Sequence, residues 1–284
     1  LPNTDEVRSC FIAEEGNDFI SIDYNSEESR LLASLSGDKG MLEVFEKGYD
    51  MHSYVAWLIY PEMIPRDVDI RSIKEKYHSL RQDAKGPEFT FAFLGTWATL
   101  VANYGMSKEE AMRIEEYYKK GFAGATKYQE QCKKYTESTG IIRVCRETGH
   151  ISRWWDWQKW NKRQHSKEFW DEYRERKAAG LPRTEEANEH FAARNKYDKN
   201  SVNSTTQGLG AVIFKEFTYA LYIWILDKGY QNKVKFCVPV HDEICEECPK
   251  ELTSEVVAAT KHFMETVGAK YCHKLPLPAE EEIG

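Results

Sequence analysis

The sequence lacks the features that mark membrane and secreted proteins. It contains no uninterrupted apolar run of about 18 residues, so no membrane-spanning helix is expected, and no signal peptide is present. Its first residue is Leu1 rather than Met, which suggests a fragment or a processed piece. The 284 residues are 41% hydrophobic and 30% charged, which is typical of a soluble globular protein with one large domain or two packed ones.

Cysteines are few and do not form the pattern of a disulfide framework. There are seven, an odd number, scattered along the chain, and this favours a reducing, intracellular compartment. Cys245 and Cys248 form a lone C-x-x-C, without the second pair or the histidines that a structural zinc site requires. We therefore interpret them as two thiols on a strand.

The net charge of −7 is distributed unevenly. Residues 143–199 contain 14 Lys and Arg against 10 Asp and Glu, a surplus of four positive charges that leaves −11 for the rest. A negative total argues only weakly against nucleic-acid binding, because local patches determine where a polyanion binds.

Hydrophobic periodicity predicts an α+β fold with a small, mainly antiparallel sheet. An apolar strand, Phe19 to Ile22, runs into Asp23, and a hairpin is predicted over Ile141 to Arg153. Two further strands, Val234 to Val240 and Ile244 to Glu247, flank a tight turn. Helices are predicted over Ser26 to Gly37, Met41 to Lys47, Asp50 to Tyr60, Ser72 to Lys85, Ser107 to Lys120, Thr206 to Lys228 and Lys250 to Val267.

Two aspartates stand at the ends of apolar strands. Asp23 follows Ile22, and Asp242 follows Val240-His241. A carboxylate at such a position costs desolvation energy unless a cation compensates it. If the two strands are adjacent, these carboxylates could share two Mg²⁺ ions. The alternative is that each aspartate caps a turn.

A cationic and aromatic stripe is predicted on one helix. Arg81, Lys85 and Phe89 are spaced i, i+4, i+8, which places them on one face if the helix is continuous. Two cations and a ring suit a triphosphate and a base. The alternative is a solvated basic surface.

Several motifs together make the resemblance specific. The segment from Asp23 to Asp38 resembles motif A of the family A (DNA polymerase I-like) DNA polymerases, DYSxxELRxLAxxSGD. Phe45 to His52 resembles F-x-x-G-x-D-x-H, and Arg81 to Phe89 resembles the fingers motif RxxxKxxxF. Asn203 to Gly208 resembles N-x-x-x-Q-G, Val240 to Glu243 resembles motif C, and the opening Leu1-Pro-Asn-Thr resembles L-Q-N-x. Their order and spacing agree with the family along nearly the whole chain.

The resemblance implies a template-directed DNA polymerase of DNA replication that transfers a nucleotidyl group from a dNTP to a primer 3′ end. Asp23 and Asp242 would bind the metals with the Tyr24 carbonyl, and Glu243 would lie beside them. Glu28 would exclude a ribose 2′-hydroxyl. The residues implied to bind the incoming nucleotide or the template–primer are His52, Arg81, Lys85, Phe89 and Phe93 for the nucleotide, and Lys199, Asn203, Gln207 and His241 for the DNA.

The resemblance also implies a domain organisation and partners. Residues 1–50 and 136–284 would form the palm and residues 51–135 the fingers, whereas the family's thumb and exonuclease domains lie upstream and are expected to be absent. Two Mg²⁺ ions, with Mn²⁺ as a substitute, would be the cofactors. Primer–template DNA and dNTPs would be the partners, together with a separate chain bearing the thumb or exonuclease. The setting would be the cytoplasm of a bacterial or phage-infected cell.

Several positions depart from the family pattern. Phe93 replaces a tyrosine, and Leu94 replaces the glycine that follows it, with Gly95 one place later. Gly86-Pro87 is expected to interrupt the fingers helix, because proline lacks an N–H and clashes with the preceding turn. Some phage polymerases look similar here. Further along, Thr205 replaces a proline and Lys199 an arginine.

The chain between the hairpin and Asn203 is longer than is usual for the family, which places an insert at about residues 150–195. It contains Trp154, Trp155, Trp157 and Trp160, interspersed with Lys159, Lys162 and Arg163. Aromatic rings among cations suit a single-stranded template path. The alternative is that the tryptophans are the core of an inserted helical pair.

Three other functions remain open at this stage. The chain could be one half of a split polymerase, a non-catalytic nucleic-acid-binding remnant, or a metal-dependent nuclease. A nuclease has no need of a face built for a triphosphate, and a decayed remnant would not retain both Asp23 and Asp242. These residues favour the polymerase.

Overall fold

A computed structural model describes residues 9–154 and 165–284. The strands in this part are β1 (Asn17–Tyr24), β2 (Ile141–Arg143), β3 (Ile151–Arg153), β4 (Lys235–Val240), β5 (Glu243–Pro249) and β6 (Ala279–Ile283). The α-helices are α1 (Glu27–Ser36), α2 (Lys39–Glu46), α3 (Met51–Ile59), α4 (Ile73–Lys76), α5 (His78–Ala92), α6 (Trp97–Tyr104), α7 (Lys108–Gly121), α8 (Ala123–Thr139), α9 (Lys167–Ala178), α10 (Glu185–Asp227) and α11 (Thr253–Tyr271). Short 3₁₀ turns occupy Ile70–Ser72 and Lys250–Leu252. The fold is α+β, as predicted.

The chain divides into two compact units. Unit 1 comprises residues 1–37 and 209–284, and unit 2 comprises residues 38–208. Helix α10 belongs to unit 2 up to Gly208 and to unit 1 from Leu209.

Unit 1 is built on a four-stranded antiparallel sheet in the order β4-β5-β1-β6. Along β1 the side chains alternate, as expected for a half-buried strand: Ile20, Ile22 and Tyr24 are buried, whereas Asp23 is exposed. Helix α11 packs against β1, and the Tyr24 hydroxyl donates a hydrogen bond to the Met264 carbonyl over 2.7 Å. The open face of the sheet is thereby left for polar groups.

Unit 2 is mainly helical and carries the β2–β3 hairpin. Buried Asp38 caps α2 by accepting from the Met41 N–H, and it also accepts from the backbone N–H groups of Gly124 and Ala125. A carboxylate with three backbone donors fixes the start of α8 against the start of α2. Gln129 of α8 then donates to the carbonyls of Phe91 and Ala92, at the end of α5.

Most of the predicted elements are confirmed within a few residues, including the hairpin and the strands beside the His241-Asp242 turn. Cys245 and Cys248 lie on one strand, β5, as interpreted. Three expectations are wrong. The single helix predicted over Ser72 to Lys85 is divided at Tyr77 into α4 and α5. Helix α5 continues through Gly86-Pro87 without interruption, and α10 begins at Glu185, some twenty residues before the predicted start at Thr206.

Helix α10 is long and apolar enough to cross a membrane by length and composition, with a window of mean hydropathy 1.5. One such helix is weak evidence, because core helices of soluble proteins have the same pattern. Here a third of that window is buried inside the protein. Residues such as Ile213, Phe217 and Leu221 contribute to the core of unit 1.

Candidate active site

The sheet of unit 1 brings Asp23 and Asp242 to the same end of two neighbouring strands. Strands β1 and β5 are paired antiparallel, with Ile22 opposite Ile244. Asp23 follows Ile22, and Asp242 lies in the turn that precedes β5. The sequence analysis required the two strands to be adjacent if Asp23 and Asp242 were to share metal ions, and the two strands are adjacent.

Burial and neighbouring negative charges raise the pKa values of both aspartates. Partial desolvation raises the pKa of Asp23, and the negative charges of Asp242, Glu243 and Glu280 raise it further. Desolvation also raises the pKa of Asp242, with contributions from Glu28 and Glu243. This concentration of negative charge is what a bound cation would relieve.

Two further glutamates belong to this acidic group. Glu280 lies opposite Asp23 in the pairing of β1 with β6, a strand that the acidic run Glu280-Glu-Glu282 did not suggest. Glu27 is buried, and burial, followed by the charges of Asp242 and Glu28, raises its pKa to about 8. A Cβ on Gly210 would lie 2.6 Å from Glu27 Oε2, so α10 passes close to this carboxyl group. Only the fold reveals both residues, because strand register and the approach of α10 are not local sequence signals.

The donor set suits Mg²⁺ better than a metal that needs a complete protein cage. Within residues 9–154 and 165–284, no group of three or more His, Cys, Asp or Glu side chains could hold an ion by itself. Asp23 and Asp242 offer hard carboxylate oxygens, and the anchored Tyr24 ring fixes the backbone that carries the Tyr24 carbonyl. Mg²⁺ is commonly bound by one or two carboxylates, with water and substrate phosphates completing its octahedron. The residues present therefore fit the ion.

Glu243 and His241 flank Asp242 in different ways. The carboxylate of Glu243 accepts a hydrogen bond from the Ser21 hydroxyl of β1. His241 is exposed and has a left-handed backbone with φ of 55°. Histidine is among the residues that tolerate this conformation in a tight turn. The turn thus presents His241 to solvent beside the two strand ends.

In unit 2, the continuity of α5 places Arg81, Lys85 and Phe89 on one face. Arg81 donates through Nε and Nη2 to both carboxylate oxygens of Asp50, over 2.7 and 2.8 Å. Burial alone would raise the pKa of Asp50, but the hydrogen bonds from Arg81 and Ser53 lower it well below its usual range. Lys85 forms no salt bridge with any residue in the part of the chain that the structure describes. It is the cation on this face whose charge is least engaged.

The aromatic end of this face is exposed. Phe89 is 44% exposed, and its ring is nearly parallel to that of Phe93, with 6.5 Å between centroids. The His52 ring also lies near Phe89, with 6.0 Å between ring centroids. The His52 Nδ1 is hydrogen-bonded to the buried carboxylate of Glu88, which orients the imidazole. Sequence reasoning did not identify Glu88 as the residue that positions His52.

Lys199, Asn203 and Gln207 lie at i, i+4 and i+8 on α10 and thus share one helix face. The side-chain oxygen of Asn203 is buried and has no hydrogen-bond partner among the described residues. Thr205 permits this continuous helix, because its hydroxyl donates to the Val202 carbonyl and its N–H remains available. A Cβ on Gly208 would lie 2.7 Å from Val144, so the helix passes close to the β2 end of the hairpin.

The insert is described only in part. Trp155, Trp157, Trp160, Lys159, Lys162 and Arg163 lie outside the described residues. Trp154 packs edge-on against Tyr197 of α10, with 5.0 Å between centroids, and its Nε1 is buried. For this one tryptophan the contacts favour a packing role.

Comparison with known proteins identifies the family. The sequence profile of DNA polymerase family A matches residues 2–284. The chain belongs to DNA polymerase family A. Curated relatives include DNA polymerase I of Streptococcus pneumoniae, 27% identical over 98% of this chain and 27% of its own length. DNA polymerase I of Aquifex aeolicus is 28% identical over 98% of this chain and 40% of its own length.

A phage protein and a solved structure are also similar. The DNA polymerase of Mycobacterium phage D29 is 33% identical over half of this chain and 22% of its own length. The polymerase domain of Pol1 from M. smegmatis, solved in complex with DNA primer-template and dNTP, has a TM-score of 0.75 and is 22% identical. That alignment covers all of this chain and 43% of the Pol1 chain. The present chain spans less than half of the length of each of these proteins.

Proposed function

We propose that this chain is the catalytic core of a template-directed DNA polymerase, which transfers a nucleotidyl group from a dNTP to a primer 3′ end. The observation that carries the proposal is the placement of Asp23 and Asp242 at the same end of two adjacent strands, where burial and nearby carboxylates raise the pKa of each. Family membership supports the same activity. Primer–template DNA and dNTPs are the proposed partners, and the cytoplasm of a bacterial or phage-infected cell is the proposed setting.

Asp23, Asp242 and the Tyr24 carbonyl would hold two Mg²⁺ ions, with Mn²⁺ as a substitute, and Glu243 would lie beside them. When bound, the ions would lower the pKa of the attacking 3′-hydroxyl and neutralise charge on the phosphates. The chain's own contribution is to hold Asp23 at the end of β1 and Asp242 in the turn that precedes the paired strand β5 before substrate arrives. Such preorganisation reduces the rearrangement needed in the transition state.

The α5 face would bind the incoming nucleotide. Lys85 would pair with phosphate oxygens as a point charge, and exposed Phe89 would stack on the base. Arg81 would act from its paired position, because Asp50 holds the guanidinium plane in a fixed orientation. His52 would donate to the triphosphate, with its ring held by Glu88.

Contacts to the template–primer would come from the α10 face and the β4–β5 turn. Lys199 would contact a phosphate, and Asn203 and Gln207 would contact base or sugar edges near the nascent pair. His241 would contact the primer end. The unpartnered oxygen of Asn203 supports this assignment, since a buried acceptor without a donor is costly unless a ligand satisfies it.

The experiment is primer extension with Mg²⁺ and all four dNTPs, comparing the chain with Asp242→Asn and Glu251→Gln. These carboxylates lie near opposite ends of β5, and Glu251 is exposed and remote from the acidic group. We expect Asp242→Asn to lose at least about a thousandfold in rate, roughly 4 kcal/mol of transition-state stabilisation. Glu251→Gln should match the parent chain.

Two further versions of the primer-extension experiment distinguish the polymerase core from a split enzyme and from a nuclease. Addition of a polypeptide bearing the family's thumb distinguishes a self-sufficient core from one half of a split enzyme. Omission of dNTPs tests for a nuclease, which would shorten the primer instead of extending it. Extension by Asp242→Asn within tenfold of the parent would rule out the assigned role of Asp242.

A further inference from the structure

A cavity of 490 Å³ in unit 2 lies behind the helix that carries the proposed nucleotide face. It is bordered by the end of α3, by α5, by the end of α6 and by the start of α7. At 100° per residue, Asp83 points to the opposite side of α5 from Arg81 and Lys85. The cavity is thus separate from the residues assigned to nucleotide binding, and its volume lies in the range of small-ligand sites.

The charges that line the cavity do not balance. Glu62 is paired with Arg113, with 3.7 Å between the charged atoms. Asp83 and Glu110 also line the cavity, and neither forms a salt bridge with any other residue in the described part of the chain. Asp83 is exposed and Glu110 is partly exposed, so solvent alone compensates these two negative charges. An anionic ligand would be repelled, and a neutral one would leave both carboxylates unused.

A buried tyrosine points to the same kind of ligand. Tyr60 lines the cavity and is only 7% exposed, yet its hydroxyl forms no hydrogen bond with a described residue. Burial, followed by the charges of Asp83 and Glu110, raises its pKa to about 12. The phenol therefore stays protonated at neutral pH, and it lines the same cavity as both carboxylates. A hydrogen-bond donor with positive charge would satisfy all three groups.

The remaining walls are apolar or aromatic. Tyr104 is half exposed, and its ring lies so close to Gly86 that a Cβ there would be 2.6 Å from a ring carbon. Met63 and Met106 contribute flexible thioether side chains. An alkyl chain suits these walls, and an ammonium group beside a tyrosine face gains a cation–π interaction.

We propose that this cavity is a binding site for a linear aliphatic diamine or polyamine, with ammonium groups on Asp83 and Glu110 and the alkyl chain against Tyr60 and Tyr104. The two charges of a diamine equal the two that the cavity leaves unbalanced. The site adjoins Pro87, which has no N–H to donate to the Asp83 carbonyl, so the occupant would bind where α5 lacks one backbone hydrogen bond. The proposal does not depend on the polymerase function.

The test is isothermal titration calorimetry of the DNA-free and metal-free chain with 1,5-diaminopentane and with spermidine. We expect one saturable site, and binding at least about tenfold weaker for 1-aminopentane, which retains one charge-assisted contact. Asp83→Asn and Glu110→Gln should each weaken diamine binding by a similar factor. Glu109→Gln is the matched control, because Glu109 is the adjacent carboxylate on α7 and does not line the cavity.

Three results would overturn the proposal. One is the absence of binding at millimolar amine, and another is an equal loss in Glu109→Gln, which would indicate attraction to an acidic surface only. The third is unchanged binding in the Asp83→Asn, Glu110→Gln double variant. Thermal unfolding of each variant shows whether it remains folded. Since no step uses primer extension, failure here leaves the proposed function untouched.

Discussion

Leu94 has a backbone conformation that glycine adopts more readily. Its φ is 59°, and the resemblance to the family's fingers motif implies glycine at this position. We expect Leu94→Gly to be more stable than Leu94→Ala by about 1 kcal/mol, because the left-handed region disfavours a Cβ. Urea unfolding of both variants measures the difference. Both variants lose the leucine side chain, so the comparison isolates the backbone effect of the Cβ. Ala102→Gly, inside α6, should show the opposite sign, about 1 kcal/mol less stable.

Glu28 is better placed than Glu27 to exclude a ribose. Glu27 is buried against Gly210, whereas Glu28 is partly exposed and its charge is felt by Asp242. We expect Glu28→Ala to raise ribonucleotide relative to deoxyribonucleotide incorporation by at least tenfold, roughly 1.4 kcal/mol, because a 2′-hydroxyl no longer meets a carboxylate. Competing single-nucleotide insertion measures the ratio. Unchanged selectivity in Glu28→Ala, together with relaxed selectivity in Glu27→Gln, would transfer the role to Glu27.

Lys85 should affect nucleotide use far more than DNA affinity. Its charge is unpaired among the described residues, so a triphosphate would gain a charge-assisted hydrogen bond of about 1.5–3 kcal/mol. Lys85→Ala should therefore raise the KM for dNTP by roughly tenfold to a hundredfold and leave primer–template Kd within twofold. Lys76→Ala, an exposed lysine on α4, is the control. A variant that lost DNA binding and kept its KM would reassign this face to the template.

At the scale of elements, Glu246 of β5 introduces a pH dependence into the fold. It is fully buried, one oxygen accepts from the Thr260 hydroxyl, and the other has no partner among the described residues. Burial raises its pKa from 4.5 to about 7. The folded state therefore retains this proton up to about pH 7, whereas the unfolded state loses it above about pH 4.5. The stabilisation of the folded state by protonated Glu246 is complete below about pH 4.5 and is lost as the pH rises through about 7.

Glu246→Gln should flatten this part of the stability profile. We expect the free energy of unfolding of the parent to fall between about pH 4.5 and pH 7 by up to about 3 kcal/mol more than that of the variant. Chemical denaturation at several pH values measures the difference, and Glu251→Gln, which is exposed, should follow the parent. Parallel profiles for Glu246→Gln and the parent would show that Glu246 does not titrate in this window.

Local pattern predicts the elements of this fold best where apolar side chains repeat. The apolar stretch from Phe19 to Ile22 was sufficient to place β1, and the apolar stretch from Thr206 was sufficient to place the second half of α10. Strand β6 escaped prediction because Glu280-Glu-Glu282 has the composition of a solvated tail, and it is a strand only through its pairing with β1. The early start of α10 at Glu185 was not predicted either. Its polar first half is stabilised by tertiary contacts such as the Arg194 salt bridge to Glu137.

The candidate site shows the same limit. Strand-end position and motif spacing supplied Asp23, Asp242 and the α5 face, because both signals are local in the sequence. Partners that come from register or from packing between helices, such as Glu280 beside Asp23 and Glu88 on His52, carry no local signal. The interruption expected at Pro87 failed for a related reason. Pro87 is buried and α5 is held by neighbouring helices, so packing outweighs the lost hydrogen bond.

At the scale of the whole molecule, the uneven charge bears on how an acidic chain would bind DNA. The net charge is −7, yet residues 143–199 carry a surplus of four positive charges. Affinity for a polyanion follows the local surplus and falls with salt in proportion to the number of phosphates neutralised. A template overhang should therefore engage this segment in preference to the remainder of the chain.

The tryptophans of this segment provide the test. We expect Trp157→Ala with Trp160→Ala to weaken binding of a long single-stranded overhang by about 1–3 kcal/mol for each stacked base lost, and to leave the melting temperature unchanged. Trp154→Ala is the contrasting variant, since Trp154 packs on Tyr197 and its loss should lower the melting temperature. Fluorescence quenching by single-stranded DNA at two salt concentrations measures the affinity. A lower melting temperature with unaltered overhang affinity in the double variant would make these tryptophans core residues and end the template-path hypothesis.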